Sequence, residues 1–422
     1  MGIASPPRIG RVYWTAYTQL EGDSSPVDPL RFNMYAERLG NVLLPGITSR
    51  VERLRYFGMV CAGLWLTRPT GGVGESRDAA RQWRRAFLPF EAAWAFTNLV
   101  AVNGEIKDLP PVVEHARLKS EFQGLRGANR VLAYYRRAGD QRQVKPHDYR
   151  LLKAQEAQGG LGAYLVALRR YGFVQRDRFD LTALGNDLAR AFFGSQSRQA
   201  RKLLSNTPER RSSLQRLGEE LLLSKPSRAE ATLVNSVLYD GDDSVARVFR
   251  RIPKPLREGG SAKKALTHLA RPDGDPIERA AQYAITFEPF RHAALGAFAE
   301  LGHQLMGRGP SRLTDLDTTE LEHRLHETAQ AATSLAALPS IPELEPVSSL
   351  AHRVTDVKSP KEMLHALVSF HRQEGRRWID VDGGGRYLLG AHGAFDPPGD
   401  QFHGYTLYSA MRVFRDVQQA LA

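Results

Sequence analysis

Residues 169–192 read RRYGFVQRDRFDLTALGNDLARAF. Two short apolar runs flank a charged tip in this stretch, and an amphipathic segment follows them directly. Thr182 is a suitable helix N-cap, and Leu184, Leu188 and Phe192 recur at the spacing of one helix face. The pattern predicts a β-hairpin followed at once by a capped helix.

The residues before the hairpin predict three helices. The first covers residues 127–139 and has a glycine at each end, and the second covers 146–155 and begins with a proline that a first turn tolerates. The third precedes Gly172, and its inward face is defined by Leu161, Tyr164, Leu165 and Leu168. Three helices, a hairpin and a following helix are the order of a winged helix-turn-helix.

A short motif at the end of the hairpin supports this interpretation. The segment resembles the bacterial winged-helix pattern L-T-x-x-G-x-x-L-A, which closes the wing. The matching residues are Leu181, Thr182, Gly185, Leu188 and Ala189. The alternative is an unrelated surface hairpin on a helical protein, and the order of the preceding segments favours the winged helix.

The charge of the chain is concentrated around this segment. The whole chain carries a net charge of +12, and residues 115–211 contain 20 Lys and Arg against 8 Asp and Glu. The rest of the chain holds 38 basic and 38 acidic residues, so the entire excess lies in that segment. Such a field favours a polyanion: nucleic acid first, then an acidic protein or a membrane surface.

The basic side chains of the segment are suited to DNA phosphates rather than to bases. The predicted third helix has no Asn, Gln or Arg in its middle that could make a bidentate contact with a base edge. Binding is therefore expected to depend on salt and to read little sequence. The candidate DNA-binding residues are Arg136, Arg137, Arg150, Lys153, Arg169, Arg170, Arg176 and Arg178.

The length of 422 residues predicts several domains. Prolines at 110–111 and between 339 and 346 have the composition of linkers. We expect a mainly α protein with an N-terminal helical domain (1–112), the basic winged helix (113–212) and a helical domain (213–345). A small α+β unit (346–422) follows, with a hairpin over Gly383–Gly385.

The N-terminal part of the sequence predicts a buried helix and a cytoplasmic location. Residues 57–66 are the most apolar run, which is too short to span a bilayer and predicts a buried helix. Ser49 and Glu52 have the spacing of a capping box at its entrance. The single Cys61 and the lack of a secretory leader pattern predict a cytoplasmic protein whose cysteine is structural.

The C-terminal unit holds the residues that best suit catalysis. Asp380, Asp382 and His371 define a hypothetical metal-dependent nuclease, although no pair has a recognised metal-ligand spacing. Asp380 and Asp382 alternate with apolar residues, as expected for a half-exposed strand. We therefore expect no catalytic residue, no metal and no other cofactor, and retain the nuclease as an alternative. His365, His392, Asp396, Asp400 and His403 lie in the same unit.

Two patches resemble uncharacterised bacterial proteins of phage-defence and DNA-modification islands. The first contains Leu44, Pro45, Gly46, Thr48, Arg53, Arg55, Tyr56 and Phe57. The second contains His371, Trp378, His403, Gly404 and Tyr405 before a last helix. The resemblance implies a prokaryotic cytoplasmic protein that works with partner enzymes; it implies no activity.

These observations predict a DNA-binding accessory subunit of a bacterial defence or DNA-processing assembly. Double-stranded DNA and other protein subunits are the expected partners, without a membrane or a small-molecule substrate. One alternative is a scaffold whose winged helix mediates subunit assembly. A stand-alone transcription regulator is a further alternative, although the chain is long for one.

Overall fold

The computed structural model describes residues 28–69, 77–102, 123–139, 141–204, 207–376, 378–390 and 402–422. These ranges are mainly helical, as the sequence predicts, and their strands form two small antiparallel pairs. The helices up to residue 220 are α1 (Phe32–Leu43), α2 (Leu54–Leu66), α3 (Arg77–Val102), α4 (Ala128–Ala138), α5 (Gln155–Gln158), α6 (Gly160–Arg170), α7 (Ala183–Phe193), α8 (Ser197–Arg201) and α9 (Arg211–Glu220).

The later helices include one of 33 residues. They are α10 (Arg228–Leu238), α11 (Ser244–Arg251), α12 (Lys254–Gly259), α13 (Ala262–Leu269), α14 (Pro276–Arg308), α15 (Thr318–Ala336), α16 (Glu345–Asp356), α17 (Pro360–Gln373) and α18 (Leu407–Leu421). Strand β1 (Gln143–Val144) pairs with β2 (Glu209–Arg210), and β3 (Ile379–Val381) pairs with β4 (Tyr387–Leu389). The second pair is the C-terminal hairpin that the sequence predicts.

Helix α2 is the central helix of the N-terminal half. It forms from the most apolar run of the chain and is buried on nearly every side, between α3, α6 and α7. Cys61 is fully buried there, and burial raises the pKa of its thiol, which disfavours the thiolate. Along the described ranges, every helix is either too short or too polar to cross a lipid bilayer.

Helix α3 carries a line of large aromatic side chains. Trp83, Phe87, Phe90 and Trp94 recur at helical spacing and are all buried. Trp94 also donates a hydrogen bond from Nε1 to the carbonyl of Leu221, at 2.8 Å. The 26 residues of α3 span about 39 Å, so this helix links distant parts of the N-terminal half.

Helix α14 organises the C-terminal half. Its start is set by a capping box between Asp275 and Glu278, with Pro276 in the first turn. Gln304, near its end, donates to the carbonyl of Asp317 at 2.7 Å, so α15 turns back along α14. Helices α1, α13 and α17 pack on the same long helix.

Contacts in the core cross the boundaries that composition predicts. The Arg53 guanidinium lies 2.9 Å from the Asp416 carboxylate, and the Tyr239 hydroxyl donates to the carbonyl of Ala410 at 2.8 Å. Buried apolar side chains from Leu30 to Val417 form one continuous cluster. The predicted boundary near residue 112 lies outside the described ranges, and the division into four units stays a prediction.

The structure does not confirm the winged helix as a whole, although several of its predicted elements form. The first helix (α4), the third (α6) and the helix after the hairpin (α7, capped by Thr182) are confirmed. The predicted second helix over 146–155 is wrong: those residues form turns, and only Gln155–Gln158 is helical. Tyr149 there stacks on Tyr134 and donates to the carbonyl of Ala92, so tertiary contacts replace the helical ones.

Close packing explains why the L-T-x-x-G motif has a glycine at position 185. The Thr182 hydroxyl accepts the Gly185 N–H at 3.1 Å and donates to the carbonyl of Gly172 at 2.6 Å. A Cβ atom on Gly185 would lie 1.9 Å from the carbonyl oxygen of Phe173. The glycine therefore lets the first turn of α7 lie directly against the hairpin.

We expect Gly185→Ala to destabilise the protein by roughly 2 kcal/mol or more, because backbone must shift to admit the methyl group. Gly307→Ala is the matched control, since Gly307 is helical and a Cβ there would meet no neighbouring side chain within 4 Å. Alanine there should add up to about 1 kcal/mol through helix propensity. Urea unfolding measures both changes, and equal stability of the two variants would contradict the packing argument.

Candidate nucleic-acid interface

The hairpin after α6 presents a short charged tip. Val174 and Leu181 form its single β-bridge, and the Gln175 N–H donates to the carbonyl of Asp180 at 2.9 Å. Arg176 and Arg178 lie between these paired positions and are exposed. Two of the eight candidate residues therefore lie exposed at the tip of the hairpin, where phosphates can reach them.

Phe179 fixes the tip to α3. Its ring lies 6.2 Å from the Trp83 ring, and the Arg84 and Arg169 guanidinium carbons lie 4.7 and 5.2 Å from its centroid. Arg68 pairs with Asp180 at 3.2 Å beside it. We define the hairpin face as Arg84, Arg169, Arg176 and Arg178.

The hairpin face contains a residue that sequence reasoning missed. Arg84 lies outside the basic segment in sequence and joins it only because Trp83 and Phe179 pack together. The paired arginines Arg84 and Arg85 near the start of an amphipathic helix were the available signal. Asp177 stands between Arg176 and Arg178, so the hairpin face has a net positive charge of three.

Helix α6, the third helix of the predicted winged helix, is buried. Gly160 packs against the Tyr56 ring, and the Tyr164 ring stacks on Tyr56 with centroids 5.1 Å apart. Val166 and Arg170 are its exposed residues. Arg170 pairs with Asp243 at 3.1 Å, so its charge is compensated. A helix in this setting cannot enter the major groove without unfolding its surroundings.

The remaining candidates lie around α4. The exposed residues of this helix recur at helical spacing and include Arg130, Arg136 and Arg137. Arg137 lies over the Tyr134 ring, with its guanidinium carbon 5.2 Å from the centroid. Arg130 approaches the carbonyl of Arg150 at 3.5 Å, which places the following loop beside the helix. We define the α4 face as Arg130, Arg136, Arg137, Arg150 and Lys153, all exposed.

The structure does not bring the eight candidates onto one surface. Arg126, just before α4, donates to the carbonyl of Gln158 at 3.0 Å, so α4 begins near the start of α6. The hairpin follows the other end of α6. Since α6 has 11 residues, it is about 16 Å long, and the start of α4 and the hairpin lie near its opposite ends. Arg136, Arg137, Arg150 and Lys153 lie on one side, and Arg169, Arg170, Arg176 and Arg178 on the other.

The residues of the nuclease alternative have structural partners. His371 is fully buried; its Nδ1 donates to the carbonyl of Pro29 at 2.7 Å, and its Nε2 accepts the Trp378 N–H at 2.9 Å. Asp380 pairs with the Arg372 guanidinium at 3.3 Å. With both ring nitrogens bonded, His371 has no lone pair to offer a metal in this conformation.

Asp382 organises the tight turn between β3 and β4. It accepts N–H groups of Gly384 and Arg386 at 2.9 Å each and pairs with the Arg386 guanidinium at 2.8 Å. These bonds lower the pKa of Asp382. Across the described ranges, no group of three or more His, Cys, Asp or Glu side chains is placed to hold a metal ion. His392, Asp396 and Asp400 lie outside the described residues.

A second polar cluster stands near the start of α18. Glu288 accepts hydrogen bonds from the Tyr405 hydroxyl at 2.7 Å and from the His403 N–H at 3.1 Å, and it pairs with Arg291 at 3.0 Å. Tyr405 and Thr406 both have positive φ, 44° and 65°. The Glu288 bonds hold this unfavourable backbone in place, which gives the cluster a structural role.

The two patches of the defence-island resemblance meet in the structure. Ser409 donates to the carbonyl of Ser49 at 3.0 Å, and a Cβ on Gly40 would lie 2.9 Å from the carbonyl of Tyr405. Arg53, Arg55, Tyr56 and Phe57 are buried, as are His371, Trp378 and Tyr405. These contacts connect α1 and the loop that follows it to α18 and the residues just before α18.

No protein-family model, no curated protein and no solved structure matches the chain. The function is therefore argued from the arrangement of its own residues.

Proposed function

We propose that this protein binds double-stranded DNA through the phosphate backbone, with the hairpin face as the principal contact. The observation that carries the proposal is the exposed pair Arg176 and Arg178 at the hairpin tip, which the packing of Phe179 on α3 holds in place. Arg84 and Arg169 flank the same aromatic ring and add charge beside the tip. Guanidinium groups bind phosphate oxygens in bidentate geometry, which suits this task.

The burial of α6 supports backbone contact over base recognition. Specific winged helices place a helix in the major groove, and here the corresponding helix is enclosed by α2 and its neighbours. The hairpin tip is short and ends in arginines, which neutralise phosphates of any sequence. Affinity should therefore vary strongly with salt and little with base composition.

A role as accessory subunit of a prokaryotic defence assembly is part of the proposal. Its support is the two-patch resemblance, and segments beside the two patches contact each other. The large apolar side chains exposed in the described ranges are Val166, Met306 and Tyr408, which lie on three different helices. Scattered single residues do not favour a large apolar subunit interface, so the scaffold alternative gains no support.

Charge reversal at the tip tests the proposal. We expect Arg176→Glu with Arg178→Glu to weaken binding of a short duplex at least about tenfold, because two phosphate contacts become repulsive. The slope of log affinity against log salt should also fall by about two, at about 0.9 per lost contact. Fluorescence anisotropy between about 50 and about 200 mM salt measures both quantities.

Lys263→Glu with Lys264→Glu is the matched control. Both lysines are exposed on α13, outside the basic segment, and the double variant changes the net charge by the same amount. It should retain most of the affinity. Equal losses in the two variants would show a response to net charge alone and would contradict the role of the hairpin face.

A further inference from the structure

The α4 face is a second cationic surface, and its contacts are independent of the hairpin. Tyr134 stacks on Tyr149 with centroids 4.6 Å apart, and Arg211 lies over Tyr135 at 4.2 Å. Arg211 also donates to the carbonyl of Gly139 at 2.7 Å. These contacts join the end of α4 to the β1–β2 pair and the loop that carries Arg150. The face is therefore a built surface on secondary structure.

Positive charge exceeds negative charge on the α4 face. Arg150 bonds to the backbone carbonyls of Leu152 and Lys153, and Arg137 lies on an aromatic ring, so neither contact neutralises the guanidinium. Asp148 and Glu156 are the acidic side chains in the described part of the same segments, against the five cations of the face. The cations of the face therefore outnumber these two carboxylates, which favours an anionic partner.

Helix α3 shows that the two faces point in different directions. Trp83 contacts Phe179 below the hairpin face, with ring centroids 6.2 Å apart, and Phe96 contacts Tyr134 below the α4 face, at 5.3 Å. Thirteen residues along a straight helix would correspond to about 20 Å and to directions about 140° apart around its axis, and Pro89 lies between the two contacts. The two contacts that support the faces are thus separated along α3 and lie on different sides of it.

This separation determines how DNA can contact both faces. At about 0.15 M salt the Debye length is about 8 Å, so faces whose supporting contacts on α3 are roughly 20 Å apart attract phosphates almost independently. A short duplex is stiff, and bending it through roughly 40–90° costs on the order of 1–6 kcal/mol. One duplex segment cannot follow both faces around the protein without such a bend.

We propose that the hairpin face and the α4 face bind two separate duplex segments at once, so that the protein bridges DNA. The inference rests on the proposed function and adds a second site, whose partner is a second DNA backbone. Aromatic rings under Arg137 and Arg211 hold the second surface in place, as Phe179 does for the first. Bridging needs no base recognition and agrees with the enclosure of α6.

A capture assay tests bridging with the full chain. One duplex is fixed to beads, the protein is added, and retention of a second, fluorescently labelled duplex is measured at about 0.15 M salt. The wild-type protein should retain the labelled duplex. Arg137→Glu with Lys153→Glu should reduce retention at least about tenfold while changing solution affinity for a single duplex less than about threefold, because the faces act independently.

The outcomes distinguish the bridging inference from the proposed function. Tight binding of a single duplex without capture would overturn bridging and leave the proposed function intact. Absence of any duplex binding would overturn both. Undiminished capture by Arg137→Glu with Lys153→Glu would also overturn the inference, since it would mean that two protein copies each use the hairpin face. Lys263→Glu with Lys264→Glu should capture as the wild type does and controls for net charge.

Discussion

Glu230→Gln is expected to destabilise the protein by about 3–5 kcal/mol, because it leaves the buried Arg55 guanidinium without its counter-charge. Both side chains are almost fully buried, and they form an ion pair between α2 and α10. Burial raises the pKa of Glu230 and lowers the pKa of Arg55. The charge of each residue reduces the pKa shift of the other. Urea unfolding measures the loss.

The chain offers a matched control for this variant. Glu230 and Glu362 each close a capping box, with Ser227 and Ser359 respectively, but Glu362 is at the surface. Glu362→Gln should therefore lower the free energy of unfolding much less than Glu230→Gln does. Arg55→Met with Glu230→Leu should recover most of the stability, since it removes both buried charges together. Similar losses for the two glutamines would show that capping, not the ion pair, stabilises α10.

The second large effect is a pH dependence of the free energy of unfolding, to which the neighbouring residues Asp28 and His371 both contribute. Burial lowers the pKa of His371 to about 4 and raises that of Asp28 to about 6. As pH falls from about 6.5 to about 4, His371 becomes protonated in the unfolded chain but stays neutral in the folded chain. This difference removes up to roughly 3 kcal/mol of stability. Over the range from about pH 6 to about pH 4, the folded chain binds a proton at Asp28 first, which adds stability.

These opposite contributions predict the behaviour of Asp28→Asn. The wild-type protein should show a shallow acid dependence from this pair, because the gain at Asp28 offsets the loss at His371. Asp28→Asn removes the gain, so the variant should lose about 2 kcal/mol more than wild type between about pH 7 and about pH 4. Arg291 and Arg376 lie near Asp28, and Arg376 and Asp380 lie near His371; these charged neighbours are unchanged in the variant.

Urea unfolding at about pH 7 and about pH 4 measures this difference. His371→Gln is the complementary variant: it keeps a donor and an acceptor at the site but does not titrate. We expect it to become more stable, relative to wild type, as pH falls. Parallel profiles for wild type and Asp28→Asn would contradict the assignment of the two pKa values.

Local structure was predictable from the sequence. The Thr182 cap, the extent of α4 between Gly127 and Gly139, and the hairpin over Gly383–Gly385 all follow from residues a few positions apart. Their hydrogen bonds are short-range, so residue type and spacing are sufficient. The mainly helical class follows from the same kind of evidence repeated along the chain.

Two local predictions failed where contacts with distant residues determine the conformation. Ser49 and Glu52 have capping-box spacing, yet α2 begins at Leu54 without such a cap. Glu52 pairs with Arg412, and the Ser49 carbonyl accepts from Ser409, both on α18. The helix predicted over 146–155 does not form either, and there the Tyr149 hydroxyl donates to the carbonyl of Ala92 on α3.

Residue type and spacing alone established most of the helical segments, the turns between them and the place where positive charge is concentrated. The folded core was needed to show that α6 is enclosed, that Arg84 joins Arg176 and Arg178, and that Arg55 needs Glu230. The difference lies in the range of the interactions. Backbone hydrogen bonds and helical periodicity act over a few residues, whereas burial and ion pairing depend on partners that are distant in the chain.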